Sequence, residues 1–402
     1  MTSLVSPDQT AAHIMGVESD HIVQVYARPP FVLSHGAGMR VWDTAGNEYL
    51  DFMAGIAVNA LGHADPGIAE VLAAQAQKLI HTSNLYHTIP AVQLAEKLTA
   101  HSFADRVFFT NSGTEANEGA IKFARKFARA NGHHHKAGLV CFDHAFHGRT
   151  MGSLSLTPKA AYQDPFKPLL PGVTVAPFNE ISALETAITE DTCAVFLEPV
   201  QGEGGIHPFS ADFLRAVRAR CDSVGALLIF DEVQCGLGRT GDLWAHTAGG
   251  VMPDMMTLAK PLAGGLPIGA ILVTERVGAA LKPGDHGSTF AGGPLITAVA
   301  NYVFDRINAE SFLTHVRETG TYLKERLEEI TSPHITEVRG RGFMLGVEFD
   351  IAVADLVKKG QEKGLLLVGS GQNVLRVIPP LIAEKADCDT FVERLSDILA
   401  AL

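Results

Sequence analysis

The sequence predicts an α/β fold: a large unit built on a mostly parallel sheet, joined to a smaller α+β lobe. Three observations lead there. From about residue 90 to about residue 275, short apolar runs alternate with helical stretches, the pattern of a parallel sheet covered on both faces. After about residue 295 the order changes to helices and strands in mixed succession. Two of the apolar runs, Leu227-Leu228-Ile229-Phe230 and Met255-Met256-Thr257-Leu258-Ala259, end in a charge, Asp231 and Lys260 respectively. Continuous apolar runs of this length read as strands buried on both faces. Ligands of open parallel sheets sit beyond the carboxyl ends of the strands, which brings this acid and this lysine to one crevice. Read alone, the same two residues also fit a helix-capping aspartate and a solvated lysine.

In chain order, residues 1 to about 25 lack strong periodicity and read as a helix or arm without a secretory signal. Tyr26 to Pro30 then leads into Gly36-Ala37-Gly38. Met39 to Trp42 and Glu48 to Phe52, either side of the turn Asp43-Thr44-Ala45-Gly46-Asn47, form a hairpin. Asp65-Pro66 starts an Ala-rich helix running to about Ile80. Arg106 to Thr110 is a strand, and Asn111 to Glu115 turns into a helix reaching about Ala130, with Ala116, Ala120, Phe123, Ala124 and Phe127 on one stripe. Further strands are expected at Leu139–Phe142, Ala194–Leu197, Leu227–Phe230, Met255–Leu258 and Ile268–Val273. A long helix from Leu295 to about Asn308 opens the second lobe. Helices at about 311–331 and 352–363 follow, with strands at Ile335–Arg339, Met344–Phe349, Leu365–Val368 and Val374–Ile378. The expected division is an N-terminal segment 1–60 packing with the small domain, a large domain 61–295, and a small α+β domain 296–402.

Composition narrows the function. With 402 residues, 47% of them apolar, the chain can bury more than one core. A net charge of −12 argues against nonspecific nucleic-acid binding. The five cysteines show no metal or redox spacing, which suits a reducing cytosol. No apolar run reaches the length of a membrane span. His133-His134-His135 sits in a Gly-bounded loop and cannot turn three rings onto one ion, so no metal site is expected. Gly236-Leu237-Gly238-Arg239-Thr240-Gly241 superficially resembles a dinucleotide loop. Its glycine spacing fits that loop, but no acid-ended strand follows at the right distance, which disfavours an NAD-dependent oxidoreductase.

The chemistry gathers at strand ends. A lysine able to form a Schiff base, with an acid for a pyridinium nitrogen, suits pyridoxal phosphate. Ser112-Gly113-Thr114 opens a helix, where free N–H groups and the dipole suit a phosphate, although an ordinary Ser cap reads the same way. In the run Asp143 to Thr150, Phe146 could lie flat on a planar ring and Arg149 could clamp a carboxylate; a surface loop with a core Phe is the plainer alternative. Glu198 and Glu203 follow another strand. Ser112-Gly113-Thr114, Phe146, Glu198, Asp231 and Lys260 thus fall at the ends of successive strands.

On these residues the chain resembles the class III, or ω-amino, aminotransferases of the fold-type I pyridoxal-phosphate family, from about Tyr26 to Leu381. Its most specific carriers are Asp231-Glu232-Val233-Gln234, the spacing to Lys260, and His286-Gly287-Ser288-Thr289-Phe290. Phe52 to Asn59, Ser83 to Tyr86, Arg106 to Gly113 and Asn373 to Arg376 support it. The resemblance implies a large domain with a mostly parallel seven-stranded sheet and a homodimer with shared sites. It implies Lys260 as the Schiff-base lysine and Asp231 as partner of the ring nitrogen. Val233 and Phe146 would lie on the two ring faces, and Gln234 near the ring hydroxyl. Ser112, Gly113 and Thr114 would hold the phosphate, joined by Thr289 from the other subunit, with Glu198 also beside the cofactor. On the substrate side it implies Arg376 for the α-carboxylate of glutamate or 2-oxoglutarate and Arg149 for the far carboxylate. Glu203 would neutralise Arg376 while an amine end is bound, and Tyr26 would stand with them. The implied donor is an ω-amine, N-acetylornithine first, with succinylornithine, ornithine, 4-aminobutyrate or an aminoadipate semialdehyde derivative as alternatives. His87 departs from the family pattern near the substrate tail.

Overall fold

The computed structural model describes residues 10–402. Residues 1–9 lie outside the described residues, so the expected N-terminal helix is seen from Ala11 to His21, capped by the Thr10 side chain.

Seven strands build the central sheet: β1 (Arg106–Thr110), β2 (Gly138–Phe142), β3 (Val173–Ala176), β4 (Thr192–Leu197), β5 (Leu227–Asp231), β6 (Met255–Leu258) and β7 (Gly269–Val273). Their spatial order is β1-β7-β6-β5-β4-β2-β3. All run parallel except β7, which is antiparallel to both neighbours. The side chains of β4, β5, β6 and β7 are buried throughout, which is why these strands read as unbroken apolar runs. Two features escaped the sequence. Edge strand β3 is only four residues long and half open to solvent, so it carries no strong pattern. The reversal of β7 has no signature, because an apolar run does not encode direction.

Helices cover both faces. Helix Gly113–Ala130 buries Ala116, Ala120, Phe123 and Ala124 against the sheet, as its stripe predicts. Ser112 caps it, its Oγ accepting from Glu115 N at 3.3 Å. Helix Ala211–Val224 buries Phe213, Val217 and Cys221 on the opposite face and ends at Gly225 in the left-handed conformation.

The C-terminal lobe carries a four-stranded antiparallel sheet of β8 (Ile335–Arg341), β9 (Met344–Phe349), β10 (Val368–Ser370) and β11 (Val374–Val377), in the order β8-β9-β11-β10. The expected single strand Leu365–Val368 is two strands in two sheets. Leu365–Leu366 pairs in parallel with Glu48–Asp51 of the N-terminal hairpin, whereas β10 joins β11. The hairpin gains a third strand, Leu33–Ala37, whose mostly exposed residues hid it. The stretch Ala54-Gly55-Ile56-Ala57 is a left-handed turn, with φ of 50°, 62°, 64° and 62°. Asp51 holds its entry, accepting from Met53 N at 2.9 Å and Ala54 N at 2.8 Å. Among the described residues, no helix is long and apolar enough to cross a membrane.

Candidate active site

The carboxyl ends of β1, β2, β4, β5 and β6 open on one cavity of about 390 Å³. Ser112, Gly113, Thr114, Phe146, Arg149, Glu198, Asp231, Val233, Gln234 and Lys260 all line it. Ten of the residues named from the sequence are therefore brought together.

Asp231 ends β5 with its side chain almost wholly buried. Its Oδ2 accepts from Asn117 Nδ2 at 2.7 Å and lies 2.8 Å from His147 Nδ1, and its Oδ1 accepts from Val233 N at 3.0 Å. A carboxylate has about four acceptor positions, so one stays open toward the cavity. Asn117 is itself fixed, receiving Thr257 Oγ1 at 2.8 Å and donating to the His147 carbonyl at 2.7 Å. Asn117 and His147 went unassigned in the sequence. The signal for Asn117 was a polar residue one turn ahead of Ala120 and Ile121 on an apolar stripe; His147 lay unused in the run that holds Phe146 and Arg149.

Lys260 follows β6 with φ of +28°, a conformation that costs energy for a side chain with a Cβ. Burial, and then the nearby Arg376 cation, pull its ammonium down to about 8. Glu198 Oε1 accepts from Phe146 N and its Oε2 from Gly202 N, each at 3.0 Å. Burial nonetheless pushes Glu198 up to about 7, with Asp231 adding to the push and His147 opposing it.

The rim of the cavity is a helix start. A Cβ on Gly113 would lie 2.7 Å from Val233 Cγ1, so only glycine lets this turn close on the strand-end loop. Thr114 Oγ1 lies 2.8 Å from Thr150 Oγ1 and accepts from Arg149 N and Thr150 N at 3.2 and 3.3 Å. That ties the helix start to the Arg149 loop. The Arg149 guanidinium sits 3.4 Å over the centre of the Tyr162 ring.

Arg376 and Glu203 lie just behind this lining. Arg376, on β11, is 1% exposed. Its Nη1 donates to Glu203 Oε1 at 2.5 Å and to Gln234 Oε1 at 3.0 Å, so the pair reaches the cavity through Gln234. Burial raises the Glu203 carboxyl, but Arg376, with help from Lys260 and Gln234, outweighs that and holds it below the usual range.

Two expected residues stand elsewhere. Tyr26 does not reach the cavity: its segment leaves Val23, Val25 and Tyr26 more than 70% exposed, with only Arg28 stacked near the Tyr26 ring. Thr289 lines a separate surface cavity with His87, Tyr86 and Phe109. The histidines 133–135 are exposed, and no group of three or more His, Cys, Asp or Glu side chains among the described residues could hold a metal.

The site fits pyridoxal 5′-phosphate. The helix start would offer the Gly113 and Thr114 amides to a phosphate, the open Asp231 position would take a ring N–H, and Lys260 lines the same cavity. His147 Nε2 is buried without a partner among the described residues, a polar atom still to be satisfied on the ring that contacts Asp231.

Comparison with known proteins agrees. The family model "Aminotransferase class-III" matches residues 22–399. A mitochondrial acetylornithine aminotransferase from Alnus glutinosa is 50% identical, covering 100% of this chain and 90% of its own. The crystal structure of N-acetylornithine aminotransferase from Stenotrophomonas maltophilia is 38% identical with a TM-score of 0.83, over 96% of this chain and 98% of that one. An ornithine aminotransferase structure from Toxoplasma gondii is 33% identical with a TM-score of 0.94, over 98% and 96%. On the match of its sequence over nearly its whole length, the chain belongs to the class-III aminotransferases.

Proposed function

We propose that this enzyme moves the terminal amino group of N-acetylornithine to 2-oxoglutarate, giving the semialdehyde and glutamate, a reaction of arginine biosynthesis. The observation that carries the reading is the Arg376–Glu203 pair set beside Lys260 and Asp231. An ω-amine brings a bare CH₂ group to the reacting position, and glutamate brings a carbon bearing a carboxylate. A cation with a removable counter-charge serves both. The donor's identity rests on the relatives named acetylornithine aminotransferase.

Bound in the cavity, pyridoxal 5′-phosphate supplies the aldehyde that carries the amino group between substrates and the ring that takes up electrons. The chain's own residues do the rest. Lys260 Nζ, with its proton loosened by burial, would take the proton from the amine-bearing carbon of the substrate and deliver it, as general acid, to the carbon that the aldehyde supplies. Asp231 would hold a positive ring nitrogen, and its three hydrogen bonds fix the carboxylate before substrate arrives. The Gly113 and Thr114 amides anchor the phosphate end. Val233 and Phe146, both on the cavity lining, would flank the ring, and Glu198, accepting from the Phe146 amide, shapes that wall. Arg376 receives the α-carboxylate of 2-oxoglutarate, and Arg149 the carboxylate at the far end.

The reading includes a homodimer. Leu85, Tyr86, Ile89, Val92 and Phe290 form exposed apolar surface around the cavity that holds Thr289. Its burial in a two-fold pair would let Thr289 serve the neighbouring site, and the segment of Tyr26 would gain a cover. All five cysteines are free and buried, which suits a reducing compartment such as the cytoplasm.

An amino-donor panel against 2-oxoglutarate, ranked by kcat/KM, tests the donor. N-acetylornithine should lead. Ornithine in first place would favour the second reading, supported by the likeness to the Toxoplasma enzyme. Lys260→Ala is the control and should abolish turnover; turnover near wild type in that variant would sink the assignment.

A further inference from the structure

The loop that carries Glu203 is strapped across the C-terminal sheet. In register, Arg339 on β8 faces Gly346 on β9, and Gly346 faces Arg376 on β11. Directly opposed residues of antiparallel strands project from the same face, so both arginines rise from one side, about 10 Å apart by strand spacing. The loop Gly202–Ile206 lies over this row. Its near end is held at Gly202, whose N–H donates to Glu198 and whose carbonyl accepts from Ser370 Oγ at 2.8 Å and Arg376 Nη1 at 3.3 Å. Its last residue rests on Gly346, where a Cβ would come within 3.1 Å of Ile206 Cβ. The same end is held by Arg339, whose Nε donates to the Gly205 carbonyl at 2.9 Å. Glu203 hangs between the two posts.

The arginines differ in their counter-charges. Arg339 is 7% exposed, and its Nη1 contacts both Glu337 and Glu348; Asn373 Nδ2 donates to Glu348 Oε1 at 3.2 Å. Arg376 has one carboxylate partner, Glu203. Arg339 is thereby kept from competing for Glu203 or for a substrate carboxylate.

We infer that Arg339 is a positioning residue for the Glu203–Arg376 pair: it pins the Gly205 end of the loop so that Glu203 engages and leaves Arg376 by side-chain rotation over a fixed backbone. The inference rests on the aminotransferase reading above. Ile206, a β-branched residue with φ of 57°, sits in a strained conformation that an unpinned loop would relax.

The test is Arg339→Lys in the holoenzyme, which keeps a charge for the two glutamates and loses the Nε–H donor. Loosening the loop weakens the closed pair, so the ω-amine half-reaction should slow by about tenfold, the scale of one lost charge-assisted hydrogen bond. The 2-oxoglutarate half-reaction should change by less than about threefold, because Arg376 is easier to free. Glutarate, an unreactive dicarboxylate, should bind more tightly in calorimetry, whereas general damage to the site would weaken it. In a Glu203→Ala background, Arg339→Lys should have no further effect on the donor half-reaction. Gly346→Ala, which lifts Ile206, should act in the same direction and serves if Arg339→Lys fails to fold. Equal slowing of both half-reactions, weaker glutarate binding, or an undiminished effect in the Glu203→Ala background would each overturn the inference. A wild type that transfers no amino group to 2-oxoglutarate would instead overturn the proposed function, and this inference with it.

Discussion

Removing the Glu203 carboxylate should change which substrate the enzyme prefers more than how fast it can work. Arg376 is almost wholly buried, and beyond Glu203 it finds neutral acceptors alone: Gln234 Oε1 and the carbonyls of Gly202 and Gly369. Deleting one partner of a fully buried ion pair costs about 3–5 kcal/mol, because a charge is left uncompensated. The Glu203 side chain is 31% exposed, so water and its screening reduce that to about 1–3 kcal/mol. The cost falls where an ω-amine sets an apolar CH₂ against the guanidinium. Glu203→Ala should therefore lower kcat/KM for the donor half-reaction by roughly 5- to 150-fold. With 2-oxoglutarate the carboxylate of the substrate replaces the one removed, and no competitor must be displaced, so that half-reaction should hold or improve. Arg376→Ala should do the reverse. Single-turnover absorbance of each half-reaction separates the two. Equal slowing of both halves by Glu203→Ala would refute the argument and leave Glu203 a structural acid.

Asp231→Asn should lower kcat roughly a hundredfold or more with a smaller change in KM, since the lost charge acts on the reacting state; steady-state kinetics check it, and an unchanged half-reaction rate counts against the assignment. Lys260, drawn down to about 8, should be roughly one-tenth neutral at pH 7, against about three parts in ten thousand at the ordinary 10.5. Acylation of Lys260 in cofactor-free protein should then rise with pH to a midpoint near 8; a midpoint above 10 would contradict it. Glu198 is shifted the other way, from 4.5 up to about 7. Between those values the folded chain holds a proton that the unfolded chain has lost, so this group makes stability fall as pH rises through that window. Glu198→Gln should flatten the fall, read from urea midpoints across pH, although it leaves one of the two backbone N–H groups without its acceptor; an unaltered pH slope would remove Glu198 as its source.

The parts of the site that were legible in the sequence are those borne on buried parallel strands. β1, β2, β4, β5 and β6 are short apolar runs with abrupt polar ends, and each end delivered a cavity residue. Asn117 and His147 were not assigned because their role is relational: each is defined by its distance to Asp231, 114 and 84 residues away. The Arg376–Glu203 pair spans 173 residues and two sheets, and only resemblance to a family proposed it. Tyr26 and Thr289 show the converse limit: only resemblance proposed them, and in this chain Tyr26 lies on an exposed segment and Thr289 in a separate surface cavity.

The left-handed turn at Ala54–Ala57 went unread for a further reason, which bears on how the site works. Ala-Gly-Ile-Ala carries ordinary helical residues, yet three of the four are non-glycine residues held at positive φ. Each such residue costs on the order of 1–2 kcal/mol, so the surroundings must over-determine the turn. Asp51 does so: besides the two amides at the turn's entry, its Oδ2 lies 2.7 Å from His63 Nε2. The turn delivers Val58 to the cavity wall, and a Cβ on Gly265, across the cavity lining, would lie 3.1 Å from Asn59 Oδ1. Lys260, with its own positive φ, is set on the same wall. Backbone strain of this kind persists only where the surroundings over-determine the position. In the function proposed above, with the Glu203 loop held at both ends, the exchange between a CH₂ and a carboxylate falls to one rotating side chain. The selectivity changes expected of Glu203→Ala and Arg339→Lys therefore share one origin, the freedom of Arg376.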